Sequence, residues 1–245
     1  MIQIEGLTKK FGDIAAVDSL NLHIPKGEFF AFLGANGAGK TTTIKMLTGL
    51  LKPTAGTAKI CGYDVVKDHV QAKAKISYVP DEPYLYDKLS AREFLHFVGE
   101  MYGMHQAQCE AKIEEMIRLF ELRGYVDNLC ETYSHGMRQR VVLSAALMHD
   151  PEVIITDEPL VALDPKSARI LKDLLKRMAD NGASVFMSTH TLAAAEELAD
   201  RIGIIHRGKL IALGTFEEIK EISRTSHRLE DAFLALTADE EPEDE

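Results

Sequence analysis

Tryptophan is absent from this sequence, and cysteine is rare: the chain contains only Cys61, Cys109 and Cys130. Three widely spaced cysteines do not form a disulfide framework, so the fold must depend on a hydrophobic core. Hydrophobic residues make up 46% of the 245 positions, which is sufficient for such a core and argues against a natively disordered chain. We interpret the cysteines as packing residues. His105 and Cys109 could share a helix face, but a two-ligand pair is a weak zinc candidate.

Long apolar runs are also missing. No stretch approaches the roughly 18 to 20 apolar residues that a membrane-spanning helix needs. The N-terminal sequence MIQIEGLTKKF lacks the basic and then apolar pattern of a signal peptide. We therefore expect a cytoplasmic protein.

Positive charge is scarce, with 28 lysines and arginines against 38 aspartates and glutamates and a net charge of −10. A protein that binds nucleic acid by neutralising phosphates needs the opposite balance, so we expect no nucleic-acid partner. Residues 237–245 contribute six acids and no base, and the last apolar residue is Ala238. We expect this acidic tail to be disordered.

Short apolar segments alternate with helical patterns in two parts of the chain, which predicts an α/β fold with a mainly parallel sheet. The predicted strands are 19–24, 29–33, 153–155 and 184–187, the predicted helices are 41–51 and 167–179, and 202–205 with 210–213 form a predicted edge hairpin. Between residues 87 and 149 the pattern is helical only, over 93–104, 111–122 and 137–148. We therefore predict a helical subdomain, 87–149, inserted into a core made of 1–86 and 150–236.

The segment from Gly34 to Thr41 matches the phosphate-binding loop G-x-x-x-x-G-K-[ST], and it lies between a predicted buried strand and a predicted helix. The glycines let backbone N–H groups converge on phosphate oxygens, and the helix N-terminus favours the negative charge. Lys40 is expected to reach the β and γ phosphates, and the Thr41 hydroxyl is expected to bind Mg²⁺. The predicted nucleotide-binding residues are Gly34, Asn36, Gly37, Gly39, Lys40, Thr41 and Thr42.

Two consecutive carboxylates, Asp157 and Glu158, follow the predicted strand 153–155. Ligands of open α/β sheets bind at the carboxyl ends of the strands. Asp157 suits the coordination shell of Mg²⁺, and Glu158 suits the role of general base for an attacking water. The alternative is an acidic pair that only caps the turn at Pro159.

Together with further motifs, these residues resemble the nucleotide-binding subunit of an ATP-binding cassette (ABC) transporter. The segment Tyr133 to Met137 resembles the signature loop, usually Leu-Ser-Gly-Gly-Gln, and 161–164 resembles the D-loop that ends in Asp164. His190 resembles the switch histidine, and Phe11 occupies the place of the aromatic that stacks on adenine. Taken singly, Ser134 could be an ordinary helix cap, and His190 and Phe11 could be core residues. The order of the motifs along the chain carries the resemblance.

The resemblance implies a P-loop NTPase core, an N-terminal antiparallel β subdomain and an inserted helical subdomain, with ATP and Mg²⁺ as cofactors. It assigns catalysis to Glu158, His190 and Lys40, and metal binding to Thr41 and Asp157. It further implies a homodimer in which Ser134, His135 and Gly136 of one copy complete the site of the other, and it identifies Asp164 as the D-loop residue. A separate integral membrane permease would hold the subunit at the inner face of the membrane. The closest resemblance is to bacterial export-type subunits of the Ecs and bacitracin-resistance groups.

Two positions depart from the family pattern. Asp81 stands where the family usually has a glutamine that senses the γ-phosphate and Mg²⁺, and His135 replaces a glycine of the signature loop. The Asp81 carboxylate could meet the metal or a metal-bound water, although it would repel phosphate. Alternatively, Asp81 only shapes the turn between Pro80 and Pro83.

Other functions remain as alternatives. A soluble ABC-type ATPase acting on DNA or ribosomes is the runner-up, but such relatives usually carry long coiled coils or two cassettes, and this sequence shows neither. A GTPase would carry the Asn-Lys-x-Asp motif, which is missing. The aromatic segments 83–86 and 93–98 could form a groove for a cytoplasmic helix of the membrane partner, or they could pack the helical subdomain.

Overall fold

The computed structural model describes residues 1–161, 163–223 and 229–237. In chain order its strands are β1 (Ile2–Phe11), β2 (Ile14–Ile24), β3 (Phe29–Leu33), β4 (Ala55–Ile60), β5 (Tyr63–Asp64), β6 (Ile76–Val79), β7 (Val153–Asp157), β8 (Ser184–Thr189), β9 (Arg201–His206) and β10 (Lys209–Gly214). The helices are α1 (Lys40–Leu47), α2 (His69–Ala74), α3 (Ala91–Met101), α4 (Gln106–Leu119), α5 (His135–Ala146), α6 (Pro165–Asp180), α7 (Leu192–Leu198), α8 (Phe216–Ser223) and α9 (Leu229–Thr237).

The larger sheet has the strand order β10-β9-β3-β8-β7-β6. All neighbouring pairs from β9 to β6 are parallel, and β10 adds the antiparallel hairpin edge that the sequence predicts. Strand β3 lies inside this sheet and every one of its residues is buried. Phe30, Phe32 and Phe186 pack together on one face, with ring centroids 5.2 to 6.5 Å apart. Because both faces of the sheet are covered at β3, the sequence of this strand is apolar at every position.

The smaller sheet is antiparallel and has the order β2-β1-β4-β5. Apolar side chains from its inner face, together with Ile44 and Leu47 of α1 and Phe186 of the larger sheet, form one continuous core cluster. This packing places the β1–β2 hairpin and the start of α1 on the same side of the molecule as the carboxyl ends of the parallel strands. The predicted α/β class with an antiparallel β part is confirmed.

Between β6 and β7 the chain forms α3, α4 and α5, with 3-10 turns at Leu122–Gly124 and Cys130–Thr132. Their apolar faces share a core with one face of the larger sheet and with α6, and this core includes the buried Cys109 and Cys130. The packing role expected for these two cysteines is therefore confirmed, whereas Cys61 is only partly buried.

The ends of several predicted elements need correction. The helix predicted over 41–51 ends at Leu47, because Gly49 adopts a left-handed conformation (φ 66°) that terminates the helix. The helix predicted from Met137 begins at His135, because Ser134 caps it. Thr237, the first residue of the predicted tail, is the last residue of α9, whereas residues 238–245 lie outside the described ranges.

Candidate functional site

The phosphate-binding loop lies between β3 and α1, and two of its glycines are dictated by close backbone contacts. A Cβ atom at Gly34 would lie 2.6 Å from the carbonyl oxygen of Ile205. A Cβ atom at Gly39 would lie 2.5 Å from the carbonyl oxygen of Ala16, and Gly39 has φ 111°, which side chains rarely tolerate. The tertiary structure therefore requires glycine at both positions, independently of any ligand.

A pocket of about 200 Å³ opens above this loop. Among the described residues its lining consists of Ala16, Ala35, Asn36, Gly37, Gly39, Lys40, Thr41, Thr42, Asp81 and Glu158. The fold thus brings together the loop residues, Asp81 two residues after β6, and Glu158 directly after β7, which are distant in sequence. Gly34, Asp157 and His190 are described residues that lie next to this lining or behind it.

Lys40 is the first residue of α1 and is almost completely buried, with 6% of its surface exposed. Its ammonium donates to the carbonyl oxygens of Gly34 at 2.7 Å and Ala35 at 3.2 Å, and it lies 3.4 Å from Oε1 of Glu158. The helix begins there without a side-chain cap, so backbone N–H groups at its N-terminus are available to a ligand. The cation and the helix end together make the floor of the pocket an anion-binding surface.

The two carboxylates at the end of β7 have different surroundings. Asp157 is 2% exposed, and its Oδ1 accepts a hydrogen bond from the Ser188 hydroxyl at 2.5 Å. Glu158 has φ 49°, a left-handed conformation that is strained for a residue with a side chain. This conformation ends the strand and lets the carboxylate of Glu158 join the pocket lining, next to Lys40.

His190 follows β8 directly and is paired with Glu158. Its Nδ1 lies 2.9 Å from Oε1 of Glu158, and its backbone N–H donates to Oε2 at 3.3 Å. The imidazole is half exposed, so it is not the core histidine that we considered as an alternative. A carboxylate, a histidine and a lysine therefore converge at one end of the pocket.

Asp81 also lines the pocket. Burial raises the pKa of its carboxyl group, and the negative charges of Asp157 and Glu158 raise it further. Burial and these two neighbouring charges disfavour the ionised form of Asp81. A cation bound between these groups would relieve that repulsion.

The site offers oxygen ligands for Mg²⁺, but the described side chains do not form a complete coordination sphere by themselves. Over residues 1–161, 163–223 and 229–237, no group of three or more His, Cys, Asp or Glu side chains is arranged to hold a metal by itself. The available oxygens are the Thr41 hydroxyl and the carboxylates of Asp157 and Asp81, which are the hard donors that Mg²⁺ prefers. These residues fit a metal that is held jointly with the phosphates of a nucleotide.

The signature-loop residues lie apart from this pocket. Ser134 caps α5, accepting a hydrogen bond from the backbone N–H of Met137 at 3.4 Å. Ser134 and His135 are exposed, and a Cβ atom at Gly136 would meet nothing within 4 Å. Of the described residues, none from this loop lines the pocket.

Asp164 and Phe11 complete the set of predicted residues. Asp164 caps α6 and accepts hydrogen bonds from the backbone N–H groups of Lys166 and Ser167 at 3.1 and 3.0 Å. A further hydrogen bond from the Ser167 hydroxyl is the main reason why the pKa of Asp164 is lowered to about 2. Phe11 lies at the β1–β2 turn with 52% of its surface exposed and the Lys9 ammonium 5.2 Å from its ring centroid, so it is not a core residue.

Sequence reasoning missed Ala16, Ser188 and Arg140. Ala16 reaches the pocket because β2 passes over the loop, and Ser188 reaches Asp157 across neighbouring strands β7 and β8. Strand pairing of this kind has no local sequence signal. Arg140 lies six residues after Ser134 and contacts the start of α6, although its position in a helical pattern suggests only an exposed charge.

Comparison with known proteins decides the family. A family model described as ABC transporter matches residues 17–161, which is more than half of the chain. The chain belongs to the ABC transporter family. The linearmycin resistance ATP-binding protein LnrL of Bacillus subtilis is 40% identical over 215 residues, covering 88% of this chain and 69% of LnrL. The bacitracin transport ATP-binding protein BcrA of Bacillus licheniformis is 37% identical, covering 91% of this chain and 72% of BcrA.

Solved structures agree with this assignment. An ATP-binding subunit of an ABC transporter superposes with a TM-score of 0.92 at 30% identity, covering 97% of this chain and all of that one. A dimeric, post-hydrolysis structure of the cassette MJ0796 bound to ADP and Pi gives a TM-score of 0.80 at 28% identity, covering 88% of this chain and 98% of that one. This ABC subunit is an ATP-binding and ATP-hydrolysing component of a transporter, and the predicted resemblance to the bacitracin group is confirmed. Among the described helices, none has the length and apolar character needed to cross a membrane.

Proposed function

We propose that this ABC ATPase subunit binds ATP with Mg²⁺ in the pocket over the Gly34–Thr41 loop and drives a separate membrane permease that exports its substrate. One observation carries the proposal. The pocket brings Lys40, Thr41 and Glu158 together, while Ser134 remains exposed outside it with its helix end free to meet a second nucleotide site. The names of LnrL and BcrA, which refer to resistance and to bacitracin transport, favour export as the direction.

Each residue has a role that follows from its position. Lys40 and the N-terminus of α1 bind the β and γ phosphates, since both present positive potential to the pocket floor. Glu158 accepts a proton from the attacking water, and His190, within 2.9 Å of Glu158, holds that carboxylate and contacts the γ-phosphate. Thr41, Asp157 and Asp81 would hold Mg²⁺, which supplies charge neutralisation for the phosphates when it is bound. Phe11 offers its exposed ring to the adenine.

We further propose that two copies bind two nucleotides between them, head to tail. In such a two-fold arrangement Ser134, His135 and Gly136 of one copy face the γ-phosphate held by the other. The exposed cap of α5 supports this arrangement, because its helix N-terminus carries positive potential. The dimeric form of the structural relative MJ0796 also favours it.

The dimer is testable with Glu158→Gln, which should bind ATP without consuming it. We expect light scattering coupled to size exclusion to show a doubled mass for this variant with ATP and Mg²⁺, and a single mass with ADP. The same variant carrying Ser134→Arg should stay monomeric, because the added side chain blocks the contact. A Glu158→Gln protein that is saturated with ATP and remains a monomer would contradict the proposal.

The surface for the permease is proposed to be an aromatic patch, defined as Tyr84, Tyr86 and Phe97. These side chains are exposed, Tyr84 by 75%, and the ring of Tyr86 lies 6.0 Å from Tyr84 and 5.7 Å from Phe97. Leu85, which lies between the two tyrosines, is buried in the core. The core therefore anchors this segment, while Tyr84 and Tyr86 face the solvent. An exposed aromatic surface that follows Asp81 in the chain suits the apolar face of a helix from the membrane protein.

The patch can be tested in cells that carry the native permease. We expect Tyr84→Asp with Phe97→Asp to prevent co-purification of the permease from membranes and to abolish export, while the ATPase activity of the isolated subunit stays unchanged. Leu234→Asp is the matched control, since Leu234 is a 59% exposed apolar residue on α9. Permease recovery equal to that of the control would refute the assignment of this surface.

A further inference from the structure

Arg140 forms a polar bridge between α5, which begins at the signature loop, and the start of α6, which follows the D-loop. Its Nη2 donates to the Ser167 hydroxyl at 2.6 Å, and its Nε donates to the same oxygen at 3.1 Å. Nη2 also lies 3.4 Å from Oδ2 of Asp164. Ser167 in turn donates its own proton to Asp164. A single arginine on α5 is thus bonded to the cap and to the first turn of α6.

The positions of these residues in their helices give the bridge a function. Arg140 lies six residues after Ser134, which corresponds to about 9 Å along α5. Asp164 is the last residue of the D-loop and the cap of α6. The bridge therefore connects the helix that presents the signature loop to the helix that begins at the D-loop. Since α5 belongs to the helical insertion and α6 to the α/β core, it also joins the two parts of the chain.

The planar shape of the guanidinium matters for this connection. Two N–H groups of Arg140 meet one hydroxyl oxygen while a third bond reaches towards the carbonyl oxygen of Phe120 at 3.5 Å. Four-fifths of the side chain is withdrawn from solvent, which strengthens these hydrogen bonds. A lysine would preserve the charge but could not make the forked contact. Nη1 also lies 3.9 Å from Oε2 of Glu121. The forked contact with Ser167 gives the guanidinium a defined orientation within this network.

A neighbouring ion pair also connects α6 to the helical insertion, but its side chains are more exposed. Lys166 of α6 lies 2.8 Å from both carboxylate oxygens of Glu121, and both side chains are at least half exposed. Solvent screening makes such a pair weak. The buried fork of Arg140 is the contact that can fix the relative position of the two loops.

We propose that Arg140 is a positioning residue for ATP hydrolysis: through Ser167 and Asp164 it holds the signature loop and the D-loop in the spacing that a second copy needs. The inference rests on the proposed head-to-tail dimer. Arg140 lies outside the lining of the pocket among the described residues, so it should not contribute to ATP binding by a single copy. Its loss should instead weaken the assembly of two copies and the turnover that depends on it.

The test compares Arg140→Lys with wild type for turnover, and Arg140→Lys in the Glu158→Gln background for assembly. We expect kcat to fall and the dissociation constant of the ATP-bound dimer to rise by about 10- to 100-fold, the range for one hydrogen bond to a charged group. The affinity of the monomer for a fluorescent ATP analogue should remain that of wild type, and the melting temperature should fall only by the about 2 to 4 °C that corresponds to about 1 kcal/mol in a domain of this size. Lys172→Gln is the control, since it removes an ion pair with Glu197 from α6, the helix that carries Ser167.

A double-mutant cycle tests whether Arg140 acts through its contact with Ser167. Because Arg140 acts through Ser167, the combination of Arg140→Lys and Ser167→Ala should lower kcat no further than the more severe single variant. Additive losses would overturn the inference, as would unchanged kcat and dimer affinity in Arg140→Lys. Parallel losses of melting temperature and monomer ATP affinity would also overturn it, because they indicate a general structural role. If Glu158→Gln itself fails to dimerise, the proposed function fails and this inference falls with it.

Discussion

The substitution Glu158→Gln tests the proposed general base and changes the shape of the side chain very little. The amide keeps the size of the carboxylate and one of its oxygens, but it cannot accept a proton from water at neutral pH. Removing a positioned general base lowers turnover by about 10²- to 10⁴-fold. At 1.36 kcal/mol for each factor of ten, this corresponds to about 2.7 to 5.4 kcal/mol of transition-state stabilisation.

The structure limits the side effects of this change. After the substitution, the remaining oxygen can take the place of Oε1, which lies 3.4 Å from Lys40 and 2.9 Å from Nδ1 of His190, or of Oε2, which accepts from the backbone N–H of His190 at 3.3 Å, but not of both. The loss of one set of contacts should cost about 1 kcal/mol and shift the melting temperature by about 2 to 4 °C for a domain of this size. Neither contact involves the loop glycines or Thr41, so ATP binding should be retained.

The assay measures phosphate release and ATP affinity on the same preparations. We expect hydrolysis near background for Glu158→Gln and an ATP dissociation constant within about threefold of wild type, which amounts to less than 1 kcal/mol. Glu196→Gln, which changes an exposed glutamate on α7, serves as the control and should hydrolyse ATP normally. Turnover above one tenth of wild type in Glu158→Gln would refute the assignment of Glu158 as the base.

Three further changes test other parts of the molecule. Lys40→Ala should weaken ATP binding itself by about 10- to 100-fold in calorimetry, because it removes a charged donor from the pocket floor; unchanged affinity would contradict the phosphate role. Asp81→Ala should raise the Mg²⁺ concentration for half-maximal ATPase and Asp81→Asn should do less harm, whereas overlaid titrations of wild type and Asp81→Ala would leave Asp81 as a turn residue. Burial lowers the pKa of His149, so the unfolded chain takes up a proton more readily below about pH 6.5 and folding stability should fall as the pH decreases through that region. Melting temperatures between pH 7.5 and 5 should therefore fall less steeply for His149→Gln, and parallel profiles would exclude a contribution from this histidine.

Much of the fold and of the site follows from the sequence alone. A strand that is apolar at every position, followed by the Gly34–Thr41 pattern, specifies the phosphate loop because each requirement is local: burial of the strand, backbone freedom at the glycines and a helix directly after the loop. The Asp157–Glu158 pair is recognisable for the same reason, as it ends an apolar strand. The helical insertion is visible because its hydrophobic spacing changes to a helical period over sixty residues.

Only the tertiary structure decided which distant residues meet. Strand order places β8 beside β7, so that Ser188 reaches Asp157 and His190 reaches Glu158, and no local pattern encodes a neighbour thirty residues away. The helix ends also depended on three-dimensional detail, since a single left-handed glycine stops α1 at Leu47. The bond from Arg140 to Ser167 depends on the packing of α5 against α6, which results from burial of a shared core. Residue chemistry can be read locally along a chain, whereas distances between such residues result from non-local packing.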